Sequence, residues 1–173
     1  MPAIFIGRFQ PFHKGHLKAI KWILKREKEI FIIIGSSQES FTKQNPFSVS
    51  ERKKMIRKTL LAEKIKNFKI YSVSDFKDDI FWAKQVLRKT KLKSENVVVY
   101  TKNPWTKGCF RKIGIAIKTH PIFYNNLSAT QIREKIAKRK RWKNLVPNIV
   151  FGFLRKIKGE KRIQSLYKCN KFG

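Results

Sequence analysis

The chain has 173 residues, 42% of them hydrophobic, which is the make-up of a folded domain with a sizeable core and excludes a disordered chain. Its 41 Lys and Arg against 11 Asp and Glu give a net charge of +30, spread along the whole length rather than gathered in a tail. That spread favours a lysine-rich composition and the drawing-in of a small anionic substrate over a dedicated nucleic-acid arm. No apolar run approaches the roughly 20 residues of a membrane span, and Met1-Pro2-Ala3 runs straight into a strand pattern without a cleavable leader. Cys109 and Cys169 stand alone without metal-ligand spacing, as reduced thiols of a cytoplasmic protein would.

In chain order the pattern alternates. Residues 3–7 form a short apolar run, read as a buried strand, and helical spacing follows over 16–25. Residues 30–35 are continuously apolar, as a central parallel strand is. Helix 50–61, strand 68–73, helix 79–89, strand 96–101, helix 104–112, strand 115–119 and helix 129–139 complete the alternation. Such spacing builds βαβ units and a parallel sheet covered on both faces. Beyond it, 146–157 and 160–167 read as two helices around Gly159, with Val146, Val150, Leu154 and Ile157 on one face. The chain therefore reads as one α/β domain over 1–173, with a core over about 1–140 and C-terminal helices over about 144–168.

The first strand leads into Gly7-Arg8-Phe9-Gln10-Pro11-Phe12-His13-Lys14-Gly15-His16, a Gly/Pro-containing turn that ends at a helix start. Free N–H groups at a helix start favour anions. Arg8, His13 and His16 add donors suited to phosphate, and Gly15 lets the backbone come close to a ligand. A capping histidine at a strand–helix corner is the plain alternative. Open parallel sheets bind ligands at the carboxyl ends of their strands, where this turn and Gly35-Ser36-Ser37-Gln38 both fall.

Two further helix starts carry capping boxes, Ser48 with Glu51 and Ser128 with Gln131. In the second, Thr130 and Arg133 lie one turn apart, so hydroxyl, free N–H groups and guanidinium can together hold a triphosphate. A well-capped helix is again the plain reading. The acids Asp75, Asp78 and Asp79 form the densest negative stretch, and in Ile80-Phe81-Trp82-Ala83 one bulky residue must face away from the core. The run Lys138-Arg139-Lys140-Arg141-Trp142-Lys143 reads as a solvated helix end.

The string GRFQPFHKGH, with Ser128-Ala129-Thr130-Gln131-Ile132-Arg133, resembles the paired signatures of the nucleotidylyltransferase superfamily. The run from Gly35 through Asn45-Pro46-Phe47 to Glu51-Arg52 is similar to one subgroup, the archaeal-type nicotinamide mononucleotide adenylyltransferases. So are Asp75 with Trp82, Asn103-Pro104, the run from Trp142 to Pro147, and Ile157-Lys158-Gly159. The resemblance implies a Rossmann-like, doubly wound parallel sheet with a small helical extension. It implies transfer of an adenylyl group from ATP to nicotinamide mononucleotide, giving NAD and pyrophosphate. It assigns catalysis to His13, His16 and Arg133, and ATP to Gly7, Arg8, Phe9, His13, Gly15, His16, Ser128, Thr130 and Arg133. It assigns the mononucleotide to Ser36, Lys43, Asp75, Trp82 and Asn103, with Trp82 as a stacking platform and the segment around Asp75 reading the carboxamide. Mg2+ would ride on the ATP phosphates, with no protein metal site. A homo-oligomer is implied, and neither a membrane nor a specific nucleic acid is a partner. Two departures concern the mononucleotide phosphate: Gln44 stands where some relatives carry arginine, with Lys43 as substitute, and the loop 123–127 is short and weakly basic. The competing readings are transfer to phosphopantetheine or flavin mononucleotide, and a non-enzymatic basic protein that binds nucleic acid.

Overall fold

The computed structural model describes residues 1–168; Cys169 lies outside the described residues. Five strands, β1 (Pro2–Gly7), β2 (Glu29–Ile34), β3 (Phe68–Ser72), β4 (Val98–Tyr100) and β5 (Ala116–Lys118), form one parallel sheet in the order β3-β2-β1-β4-β5. The chain starts in the centre and winds outward in both directions, the doubly wound α/β arrangement. The helices are α1 (Lys14–Leu24), α2 (Val49–Ala62), α3 (Asp79–Thr90), α4 (Pro104–Arg111), α5 (Ala129–Ala137), α6 (Asn148–Lys156) and α7 (Gly159–Lys168). Each expected strand and helix is present, within a few residues of its expected ends. No helix among the described residues is long and apolar enough to cross a membrane.

The chain divides into two compact units that interleave in sequence. The first holds Met1–Gly7, Lys18–Gln38 and Lys66–Ile122, and so the whole sheet. Period-two alternation puts Ile4, Phe31, Ile33 and Val99 on one face, where they pack with Trp82, Ala83 and Val86 of α3 and Cys109 and Phe110 of α4. On the other face the Trp22 ring of α1 meets Tyr100 edge-on at 6.1 Å. The Tyr100 hydroxyl donates to the buried Glu27 carboxylate at 2.8 Å, and the Lys118 ammonium and Met1 amine donate to it at 3.0 and 2.9 Å. Burial alone would raise the Glu27 pKa, but the three donors hold it at about 2. Cys109 is a buried free thiol.

The second unit holds 8–17, 39–65 and the chain from 123 onward. Met55, Ile56 and Leu60 of α2, Ile132 and Ile136 of α5, Val150 and Leu154 of α6 and Ile163 of α7 are the buried apolar positions of its helices. Ile56 with Leu60, Ile132 with Ile136 and Val150 with Leu154 lie four apart, so these helices close on one stripe. Both expected capping boxes form: Ser48 and Ser128 accept from the N–H of Glu51 and Gln131, whose side chains return a bond to the cap N–H. Gly159 opens α7 because an added Cβ would stand 3.1–3.2 Å from Phe47 and Leu154. In the basic run, Trp142 is buried against Phe151 while its Lys and Arg neighbours face solvent.

Candidate active site

The loop that leaves β1 is packed in the second unit around its own aromatic rings. Phe9, Phe12 and His13 are buried and Gln10 is 1% exposed. Phe9 takes a left-handed backbone, φ 54°. The His16 ring lies against His13 at 3.5 Å, against Phe12 at 5.5 Å and edge-on to Phe9 at 4.8 Å.

The two histidines also cap α1. The His13 N–H donates to His16 Nδ1 at 3.2 Å, and the His16 N–H donates to His13 Nδ1 at 3.3 Å. This is a capping box built from imidazoles. Capping and ligand binding, alternatives when the sequence is read alone, are compatible here. An Nδ1 that accepts a bond carries a lone pair, so each ring proton sits on Nε2. Burial holds the His13 pKa at about 3, so this ring is neutral throughout the physiological range. Gly15 suits the same packing: a Cβ there would meet His13 Cε1 and Nδ1 at 3.0 Å, so the ring would have to give way.

Arg133 of α5 is 3% exposed. Its Nη1 donates to the Gln10 carbonyl at 2.9 Å and its Nη2 to the Thr130 hydroxyl at 3.2 Å. Its Nε is buried without a hydrogen-bond partner. An unpaired buried guanidinium N–H is costly, and the Tyr167 hydroxyl also interacts with this guanidinium. Of the other residues expected at the phosphates, Arg8 is exposed, Gly7 ends β1, Ser128 is engaged as the α5 cap and Thr130 keeps its hydroxyl proton after accepting from Arg133. Arg8, Phe9, His13, Gly15, His16, Ser128, Thr130 and Arg133 all belong to the second unit.

The residues expected at the mononucleotide are more dispersed. Ser36, Asp75, Trp82 and Asn103 belong to the first unit and Lys43 to the second. The loops after β2 and β3 are joined by Ser37 Oγ with Ser74 Oγ at 3.1 Å, and by Gln38, which donates to the Asp75 carboxylate at 2.9 Å and accepts the Asp75 N–H at 3.0 Å. Ser36 holds a left-handed φ of 47° beside them. Asn103 caps α4 through its side-chain oxygen, which accepts from the Thr106 N–H at 3.0 Å. Lys43 is exposed, its ammonium 4.8 Å from the Tyr167 ring.

Trp82 is the bulky residue of its run that faces the core, beside the buried Ala83. It is 2% exposed, whereas Ile80 and Phe81 are 40% and 46% exposed. Helical spacing explains this: Trp82 shares the α3 stripe with Val86. Its Nε1 is buried without a partner, and its ring lies 4.7 Å from that of Trp105, a half-exposed residue whose Nε1 donates to Asp79 at 2.9 Å.

Three further residues hold the site together without standing out in the sequence. Arg52 is wholly buried and donates to the carbonyls of Arg8, Glu39 and Ser48. Arg162 of α7 forms a two-pronged pair with Glu51 and donates to the Pro46 carbonyl. Gln10 is legible only as part of a motif, yet both ends of its amide bond the Phe47 backbone. A charged residue inside an apolar helical stripe is the one available signal, for Arg52.

The first strand of the parallel sheet opens into two imidazoles that cap a helix, and a capped helix with a buried arginine follows later in the chain. Residues 4–135 match the model of the cytidylyltransferase-like family, which places the chain among the nucleotidyltransferases. Among curated proteins, the chain is 37% identical to a nicotinamide-nucleotide adenylyltransferase of Saccharolobus solfataricus, over 97% of this chain and 98% of that relative. It is 36% identical to one from Thermococcus kodakarensis, over 94% and 87%. Among solved structures, a bifunctional NMN adenylyltransferase/ADP ribose pyrophosphatase of Francisella tularensis, complexed with AMP and a manganese ion, superposes with a TM-score of 0.83 at 26% identity. That match covers 99% of this chain and 53% of the other, so the chain spans about half of the bifunctional protein. The chain belongs to the nicotinamide-nucleotide adenylyltransferase family.

Proposed function

We propose that the protein joins ATP and nicotinamide mononucleotide to give NAD and pyrophosphate, by direct attack of the mononucleotide phosphate on the α-phosphorus of ATP. A bond forms between that phosphate oxygen and the α-phosphorus, and the bond from the α-phosphorus to the bridging oxygen of the β-phosphate breaks. The attacking oxygen is already anionic, so no protein base is needed, and the protein's part is positioning and charge stabilisation. Arg8, His13, His16 and Arg133 hold the ATP phosphates, with Gly7, Phe9 and Gly15 shaping the loop and Ser128 and Thr130 adding donors. His16, through Nε2–H, serves the α-phosphate and the leaving oxygen. The observation that carries the reading is the imidazole capping box, which fixes both rings as neutral Nε2–H donors at a helix start. The orphaned Nε of Arg133 supports it.

Among the described residues no group of three or more His, Cys, Asp or Glu lies together. A divalent cation, Mg2+ in this reading, would be held by triphosphate oxygens, where it would neutralise charge on the leaving pyrophosphate. Ser36, Lys43, Asp75, Trp82 and Asn103 take the mononucleotide, in a cytoplasmic homo-oligomer. The test supplies Mg-ATP with nicotinamide mononucleotide, phosphopantetheine or flavin mononucleotide in turn and measures pyrophosphate. Release with the nicotinamide compound and formation of NAD are expected. Release only with another acceptor overturns the acceptor assignment. No release at all, with tight sequence-specific nucleic-acid binding, overturns the enzymatic reading.

A further inference from the structure

Gln10 sits in the middle of the phosphate loop but offers nothing to a ligand. Its amide is used at both ends by one residue: Nε2 donates to the Phe47 carbonyl at 3.0 Å, and Oε1 accepts the Phe47 N–H at 2.9 Å. The side chain thus pairs with backbone as a strand residue would. Its own carbonyl accepts Arg133 Nη1 at 2.9 Å. Three stretches far apart in sequence, the loop, the Asn45-Pro46-Phe47 turn and α5, therefore meet at this residue. Phe47 is fully buried and Pro46 is held from its other side by Arg162, so the turn is a fixed anchor. With Nη1 on Gln10 and Nη2 on Thr130, the plane of the Arg133 guanidinium is set, and its unpartnered Nε with it.

We infer that Gln10 is a positioning residue for the transfer reaction, fixing the loop backbone from which Arg133 takes its orientation; this rests on Arg133 binding the ATP phosphates. A small displacement of such a group is costly, since a misplacement of about 1 Å can lower a rate about 100-fold.

The test uses Gln10→Ala and Gln10→Glu in the full chain. Ionised, the glutamate accepts only and sets an oxygen against the Phe47 carbonyl. Protonated, it donates and accepts in the same fork as the amide. For Gln10→Ala, assayed below its melting temperature, kcat/KM for ATP should fall about 10–100-fold with KM for ATP raised, while KM for the mononucleotide stays within about twofold. For Gln10→Glu, burial at this 1%-exposed position disfavours the ionised carboxyl and raises its pKa, so the same defect at about pH 8 should shrink relative to wild type as pH is lowered to about 5.5. A pure stability role moves the melting temperature but neither the KM split nor this pH ratio. If Gln10→Ala does not fold, the pH ratio of Gln10→Glu carries the test. Wild-type kinetics in Gln10→Ala, or a Gln10→Glu defect indifferent to pH, overturns the inference. Inactive wild-type protein would overturn the functional reading instead, and calorimetric ATP binding to wild type and Gln10→Ala would still decide the placement.

Discussion

Gly15→Ala separates the cost of the site from the cost of the fold. In a helix, alanine is favoured over glycine by up to about 1 kcal/mol, so on propensity alone the variant is the more stable protein. The new Cβ would, however, lie 3.0 Å from His13 Cε1 and Nδ1. Ordinary carbon contacts are about 3.5–4.0 Å, so the ring must retreat by roughly half an ångström. It has little room to do so: its face is stacked on His16 at 3.5 Å and its Nδ1 accepts the His16 N–H at 3.3 Å. The strain and the propensity gain offset each other within about 1 kcal/mol, leaving the melting temperature within a few degrees of wild type. Activity should respond more. Half an ångström is about the tolerance of a catalytic constellation, and a loss of about tenfold in kcat/KM for ATP is expected. Pyrophosphate release at several ATP concentrations and a thermal melt on one preparation check both. Unchanged kinetics would refute the argument that the position of His13 matters. An activity loss matched by a collapse in stability would refute the argument that Gly15 serves the site rather than the fold.

His16→Ala should fold, still bind ATP and lose about 10²–10³ in kcat, as a donor to developing charge does; near-normal turnover would reduce His16 to a cap. Arg133→Ala should instead raise KM for ATP, since its contacts persist in ground and transition states alike; a pure kcat effect would contradict this. Trp82→Ala removes a fully buried ring and should cost about 3–5 kcal/mol in chemical denaturation, so Trp82→Phe is the variant whose KM for the mononucleotide tests binding, with ATP as control. Glu27, held at about 2, stabilises the fold above the unfolded carboxylate pKa, and that contribution, on the order of 3 kcal/mol, disappears as pH falls from about 4.5 towards 2. Denaturation of Glu27→Gln against pH should show a flatter acid limb than wild type, and parallel limbs would mean that Glu27 is not the group responsible.

The strands, the helices and the loop after β1 were legible because each had a periodic or punctuated signal: the unbroken apolar run at 30–34, the Gly and Pro around the loop, the Ser-to-Gln and Ser-to-Glu capping boxes. The burial of Trp82 was not, since in Ile80-Phe81-Trp82-Ala83 a shift of one residue in helix phase exchanges the inward and outward ring, and a short sequence does not fix that phase. The capping function of Asn103 was hidden by its position after a strand, although Asn-Pro at a helix start is itself a cap signal. The anchoring by Gln10 and Arg162 was illegible for a different reason. Both bond backbone carbonyls, which every residue carries, so no partner residue type announces the bond.

That last point also bears on how arginines are to be sorted in a chain with 41 cationic residues. Charge alone does not separate them, because the excess of cations runs along the whole chain. Hydrogen-bond accounting does separate two of them. Arg52 and Arg133 are both buried cations. Arg52 sends Nε, Nη1 and Nη2 to three carbonyls of its own unit, so its donors are turned towards the fold. Arg133 gives Nη1 to the Gln10 carbonyl and Nη2 to the Thr130 hydroxyl but leaves Nε buried and without a hydrogen-bond partner. A buried charge with an unmet donor is a standing cost, which an anionic ligand relieves. In the proposed reading, the net charge draws nucleotides in, while Arg133, whose hydrogen bonding the fold leaves incomplete, holds their phosphates.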